Sequence, residues 1–252
     1  DLDSPGQLRL SFDDLDADVK NYYYTLQHCD ADWTPSDLDE LEYNAGFIDD
    51  RIDDYQYSFT TRVPYTHYEL LLPNDDVSWT KSGNYLLNVY DGKDKETIVI
   101  TRRFMVVEPI VDIMPQVVVP SMVGKSRTHQ EIDFIVNHEN LEIRNPRSEI
   151  NAVILQNGRW DNAITGIAPL FLRDKEMIFN YQNKVIFPAG KEFRYFDMRS
   201  LRTRLDNVAI IDNYDAGYDV AITIDKKRGG QPHLFREDIN GKYVVGHLNQ
   251  PE

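Results

Sequence analysis

Residues 82–109 read SGNYLLNVYDGKDKETIVITRRFMVVEP, and this stretch decides how the chain is divided. Ser82-Gly83-Asn84 is a turn, and Tyr85 to Tyr90 carries the β-branched and aromatic content of a strand. Asp91-Gly92 supplies left-handed backbone geometry at little steric cost. A second strand over Thr97 to Val107 returns beside the first and runs into Glu108-Pro109. Proline has no amide to give a ladder, so it suits a strand end or hinge. The stretch therefore predicts the close of one β domain, residues 1–109, and the start of a second, residues 110–252.

Charge steps at the same place. Residues 1–109 hold 23 Asp and Glu against 9 Lys and Arg, a net of −14, whereas residues 110–252 hold 19 against 18, a net of −1. An acidic field of that size repels nucleic-acid phosphates and anionic lipid head groups, so neither is an expected partner. The single cysteine, Cys29, allows no intrachain disulfide, but an oxidising compartment does not require one. There is no run of 18 apolar residues to make a spanning helix, and a signal peptide, not seen ahead of Asp1, is expected to have been removed.

Upstream of the hairpin the pattern is a succession of short strands. Gln7 to Phe12 is the first, followed by the acidic DDLDAD. Lys20 to Cys29 alternates with Tyr22, Tyr24, Leu26 and His28 on one face, and ends at Trp33 and Pro35, where the indole is expected to plug the end of the core. Tyr55 to Thr61 places Tyr55, Tyr57 and Phe59 on one face, and Tyr65 to Leu72 follows; Leu38 to Phe47 is ambiguous, with a turn or bulge at Gly46. Downstream, strands are expected at 110–114, 117–119, 131–136, 149–156, 177–181, 192–198, 208–211 and 218–224, with an Asn157-Gly158 hairpin turn leading to Trp160. The predicted class is all-β, two consecutive immunoglobulin-like or fibronectin-III-like sandwiches.

Chemistry-bearing motifs are weak. Asp14, Asp16 and Asp18 have the 1-3-5 spacing of an EF-hand loop, but Val19 stands where glycine is needed and Thr25 where a bidentate Glu belongs. Asp49, Asp50, Asp53 and Asp54 offer a looser oxygen cage. His28, His67, His129, His138, His233 and His247 form no HExxH or close pair, and no nucleophile elbow or phosphate loop is present. Trp79 and Trp160 sit beside turns, where an exposed ring would stack on sugars and a packed one would seal a sandwich end. No catalytic, metal or cofactor residue is assigned.

Six segments, YYYTLQHCDADWTPSDL (22–38), DDYQYSFTTRVPYTHYELLLPN (53–74), SGNYLLNV (82–89), TRRFMVVEP (101–109), LQNGRWDNAI (155–164) and FPAGKEFRYFDMRSL (187–201), resemble the N-terminal part of the type IX secretion system plug protein family. The resemblance implies a periplasmic, non-enzymatic accessory whose partner is an outer-membrane β-barrel translocon, occluding the barrel's periplasmic mouth. It implies no cofactor, no small-molecule substrate and no direct insertion into the membrane, and it transfers no binding residue to a position here. Members of the family are longer, so a further C-terminal portion is expected. The alternative reading is a periplasmic or surface glycan-binding β-sandwich module.

Overall fold

A computed structural model describes residues 1–189, 193–215, 217–226, 237–239, 241–246 and 248. Among them helix is limited to two four-residue turns, and the rest of the regular structure is antiparallel strand. The chain groups into two compact units. One holds 1–113 together with 136–151 and 172–177; the other holds 114–135, 152–171 and 178–252.

The first 108 residues form two main sheets. β1 (Leu8–Asp14), β6 (Thr66–Leu72) and β5 (Asp54–Tyr57) make one, in the order β1-β6-β5. β4 (Asp49–Arg51), β2 (Tyr22–Cys29), β8 (Gly83–Asp91) and β9 (Ile98–Val106) make the other, in the order β4-β2-β8-β9. A short pair, β3 (Asn44–Gly46) with β7 (Val77–Trp79), completes the set. The expected hairpin is present, with Gly83 opposite Val106 and Tyr85 opposite Phe104, though residues 92–97 make a longer connection than a two-residue turn. Leu38 to Phe47 resolves into α1 (Glu40–Tyr43), capped reciprocally by Asp39 and Glu42, and then β3. Gly46 has φ +96°, and a Cβ there would sit 2.0 Å from the Asp76 carbonyl oxygen, so no other residue fits.

The two sheets share one core, and its aromatic residues are mostly tyrosine. Tyr22, Tyr24 and Leu26 from β2 meet Tyr68, Leu70 and Leu72 from β6 and Tyr85, Leu87 and Val89 from β8. A buried phenol must hydrogen-bond, and these do so at the rim of the core. Tyr22 donates to Asp14, Tyr68 to the Lys20 carbonyl, Tyr85 to the Lys81 carbonyl and Tyr43 to the Leu26 carbonyl. Phe12 stacks on Tyr68 at 5.2 Å while Tyr22 meets Tyr68 edge-on at 4.9 Å, joining strands of the two sheets. Trp33 departs from expectation. It is half-buried and lies outside this core, with the Arg103 guanidinium 4.7 Å over its ring. Its residue has φ +71°, so the turn carries the indole past the end of β2.

Beyond residue 109 the described strands form one five-stranded sheet and two separate pairs. β10 (Asp112–Val118), β11 (His129–Asn137), β14 (Phe171–Arg173), β15 (Glu176–Phe179) and β16 (Ile186–Pro188) form one sheet, ordered β10-β11-β15-β14 with β16 also on β11. β10 runs through Pro115, where a break was expected; it is an edge strand, so an unbonded proline nitrogen is tolerated. β12 (Ala152–Gln156) and β13 (Arg159–Ile167) turn at Asn157 and Gly158, with φ +56° and +70°, the geometry Asn-Gly favours. α2 (Pro146–Glu149) replaces the start of the strand expected at 149. β17 (Val208–Tyr214) pairs with β18 (Gly217–Ile222). Residues 193–198 are not a strand, because their backbone is bonded elsewhere: the Phe193 amide donates to the Asp238 side chain and the Asp197 amide to the Asp206 carbonyl.

Candidate interaction surface

The acidic loop between β1 and β2 explains itself once Lys20 is placed. The Lys20 ammonium lies 3.0 Å from Asp14, 2.5 Å from Asp16 and 4.0 Å from Asp18. The three carboxylates with calcium-like spacing thus converge on a cation the chain itself supplies. Burial pushes the Asp14 carboxyl up, but the Asp16 amide, Lys20 and the Tyr22 hydroxyl together hold it below its ordinary value. The same arrangement, with burial first, pushes the Tyr22 phenol up. The second candidate cage is dispersed: Asp49 pairs with Lys95 at 3.0 Å, Asp53 with Arg51, and Asp50 accepts from Tyr24 at 3.4 Å, while Asp54 begins the exposed strand β5. Among the described residues no three His, Cys, Asp or Glu side chains are grouped to hold a metal.

The histidines sit apart. His28 shares its ring nitrogens with Ser36 Oγ at 2.8 Å and the Ser82 carbonyl at 3.1 Å, wedged against Tyr85 and directly over Gly83. His67 meets Asp13 across the β1–β6 pair at 2.6 Å. His129 pairs with Thr128, and His138, nearly buried, with the Leu141 carbonyl. His233 and His247 lie outside the described residues. Trp79 packs on the core with its ring 5.4 Å from Phe104, and Trp160 is half-buried on β13. Cys29 is buried, and burial pushes its thiol up, away from the reactive thiolate. One depression lies along Asp1, Asp3, Ser4, Glu108 and Pro109 and another along Tyr23, Asp49, Tyr90, Lys93 and Lys95.

What the first unit does present is one end of its sandwich. Asp14, Thr66 and Tyr57 lie side by side in register across β1, β6 and β5, so the β1–β2 and β5–β6 loops leave the sheet together. Their backbones are fastened: Thr66 Oγ1 donates to the Asp18 carbonyl, the Lys20 amide donates to the Tyr68 hydroxyl, and the Ser58 and Tyr65 backbones close the second loop. On that fixed frame the apolar side chains face solvent. Phe59 is 88% exposed, Leu15 69%, Tyr57 65% and Val63 59%. The Tyr55 and Tyr57 rings stand at 84° to one another, which makes no flat platform for sugar rings. The alternation of YQYSFTT pointed to a shared aromatic face, but not to its exposure; that follows from β5 being the edge of its sheet.

Residues 1–108 match the family model described as "Type 9 secretion system plug protein 1st domain". The solved structure of a hypothetical protein from Parabacteroides merdae superposes on the whole of this chain with a TM-score of 0.91 at 32% identity. The present chain spans 63% of the length of that protein. No curated protein matches the chain.

Proposed function

We propose that this protein is a non-enzymatic accessory of the type IX translocon, held in the periplasm at the mouth of the outer-membrane barrel, where it keeps the resting pore shut. The observation that carries the reading is the plug-family match over residues 1–108. Occlusion needs area and rigidity more than chemistry, and a stable contact buries upwards of about 1,000 Å², a broad face rather than a pocket. The fastened loops at the sandwich end fit that requirement. Among the described residues no helix is long and apolar enough to cross a membrane, so attachment through a protein partner fits as well.

The same reading includes two consecutive immunoglobulin-like sandwiches, residues 1–109 and 110–252, as its two domains. In support, the family match ends at residue 108 and the first division of the chain's compact units falls after Ile113.

The test is capture and leakage. The purified chain, used as bait on detergent-solubilised outer membranes, is expected to recover the secretion barrel. Deleting the gene is expected to make the outer membrane leakier to large solutes while the translocon idles. Unchanged permeability with no barrel recovered removes the plug reading and leaves the glycan-binding module, to be checked on glycan arrays.

A further inference from the structure

We infer that the sandwich end bearing Leu15, Tyr57, Phe59 and Val63 is the docking face, and that it fits a protein surface with an apolar centre rimmed by lysine and arginine. On the reading above, which this inference rests on, that surface belongs to the secretion barrel. Three observations converge. First, the apolar side chains are clustered by topology, not scattered: two loops leave adjacent strands at the same end and are tied to the frame by backbone bonds. Exposed apolar clusters of this kind, centred on aromatic residues, are where binding energy concentrates in interfaces.

Second, the frame around them is acidic. Asp13, Asp14, Asp16 and Asp18 crowd the first loop against Lys20, and the second loop adds one cation, the exposed Arg62, which leaves the two loops together net acidic. Asp91 lies opposite Tyr22 in the β2–β8 register, and the Gly92 amide donates to the Asn21 carbonyl, which brings the acidic end of β8 to the same side. Asp16 and Asp18 are well exposed, so their field reaches an approaching partner. Such a rim selects a basic partner and repels anionic lipid, which sets a protein apart from a membrane as the occupant.

Third, the face is preorganised. Lys20 gathers the carboxylates of the first loop, and Ser58 and Tyr65 clamp the second, so docking orders little that is not already ordered.

The test measures binding of the full chain to the purified barrel in detergent by surface plasmon resonance, with melting curves to verify folding. Tyr57→Ser combined with Phe59→Ser is expected to weaken binding at least about tenfold, mainly through faster dissociation. Asp16→Asn with Asp18→Asn is expected to slow association about three- to tenfold at low salt, and the gap should close as salt shortens the screening length. Leu41→Ser, at an exposed apolar position on α1, is expected to change nothing. If the parent binds the barrel and the Tyr57/Phe59 variant binds equally well, the face is wrong while the plug reading stands. If the parent does not bind the barrel, both fall. Binding to phosphatidylethanolamine–phosphatidylglycerol vesicles that is lost with Phe59 would make the face a membrane anchor and also overturn the inference.

Discussion

Asp14 and Glu131 are both carboxylates largely shut away from water, one on β1 in the first half of the chain and one on β11 in the second, and their surroundings are opposite. Asp14 accepts from the Tyr22 hydroxyl and the Asp16 amide and pairs with Lys20. Glu131 is 2% exposed and accepts one long bond, 3.3 Å, from the Ser121 amide, while Asp133 two residues on has a buried oxygen with no hydrogen-bond partner. Burial pushes Glu131 up, the Ser121 amide pulls it partly back, and the Asp133 charge adds to the rise. The acidic first half therefore has its inner carboxylate neutralised by a partner, and the nearly neutral second half does not. Local pairing, rather than net charge, decides whether a buried acid stabilises a fold.

The contrast extends to the cores. The first is closed by tyrosines whose hydroxyls all find acceptors at its rim; in the second, two phenylalanines, Phe134 and Phe179, stack at 4.3 Å. The largest expected effect tests the first of these. Tyr24 is fully buried and its hydroxyl joins Asp50 and Asn74. Tyr24→Ala is expected to cost about 3–5 kcal/mol in denaturant unfolding. A cost under about 1 kcal/mol would mean the tyrosine framework is not what holds this half together.

Asp14→Asn sharpens the comparison directly. It takes the charged acceptor from Lys20 and Tyr22 and is expected to cost about 2 kcal/mol near neutral pH. The Asp14 carboxyl is held below its ordinary 3.8, so the stability it lends is present above that pH and is lost as pH falls through the folded value. Parent and variant melts should therefore converge in acid. A gap that stays constant down to strong acid would assign the effect to packing instead.

How much of this was legible in the residues follows the same divide. Strict alternation marks β2, whose Tyr22, Tyr24 and Leu26 face is buried, and β-branched and aromatic content marks β8. The end of the core was misjudged at Trp33, because sequence order says that an indole follows a strand but not that the turn backbone swings it aside to Arg103. α1 has a single turn and so no 3.6-residue period to detect. In the second half, EFRYFDM alternates like a strand, yet 193–198 is tied down by side chains distant in sequence, including Asn207 donating to the Tyr195 carbonyl. At the candidate surface, the aromatic face of β5 was readable and its openness was not, since edge position is a property of the sheet. Lys20 was missed because a lysine after an acidic run reads as one more solvated charge; only the fold turns it inward onto the three carboxylates.

The smallest effect has the opposite sign. Glu131→Gln keeps an oxygen for the Ser121 amide, removes a buried negative charge and offers donors beside the unsatisfied Asp133 oxygen. At pH 7 it is expected to stabilise the protein by on the order of 1 kcal/mol. The sign follows from linkage. Burial raises the folded carboxyl above its ordinary 4.5, so its favourable share is complete below that pH and is lost as pH rises through the folded value. The parent therefore gains on the variant as pH falls from 7, and below about pH 4.5, with the parent's Glu131 protonated, the advantage of Gln should vanish. Denaturant melts of both proteins across that range read the difference directly. If Gln were destabilising at pH 7, Glu131 would have to be paired in its charged form, and the contrast with Asp14 would be gone.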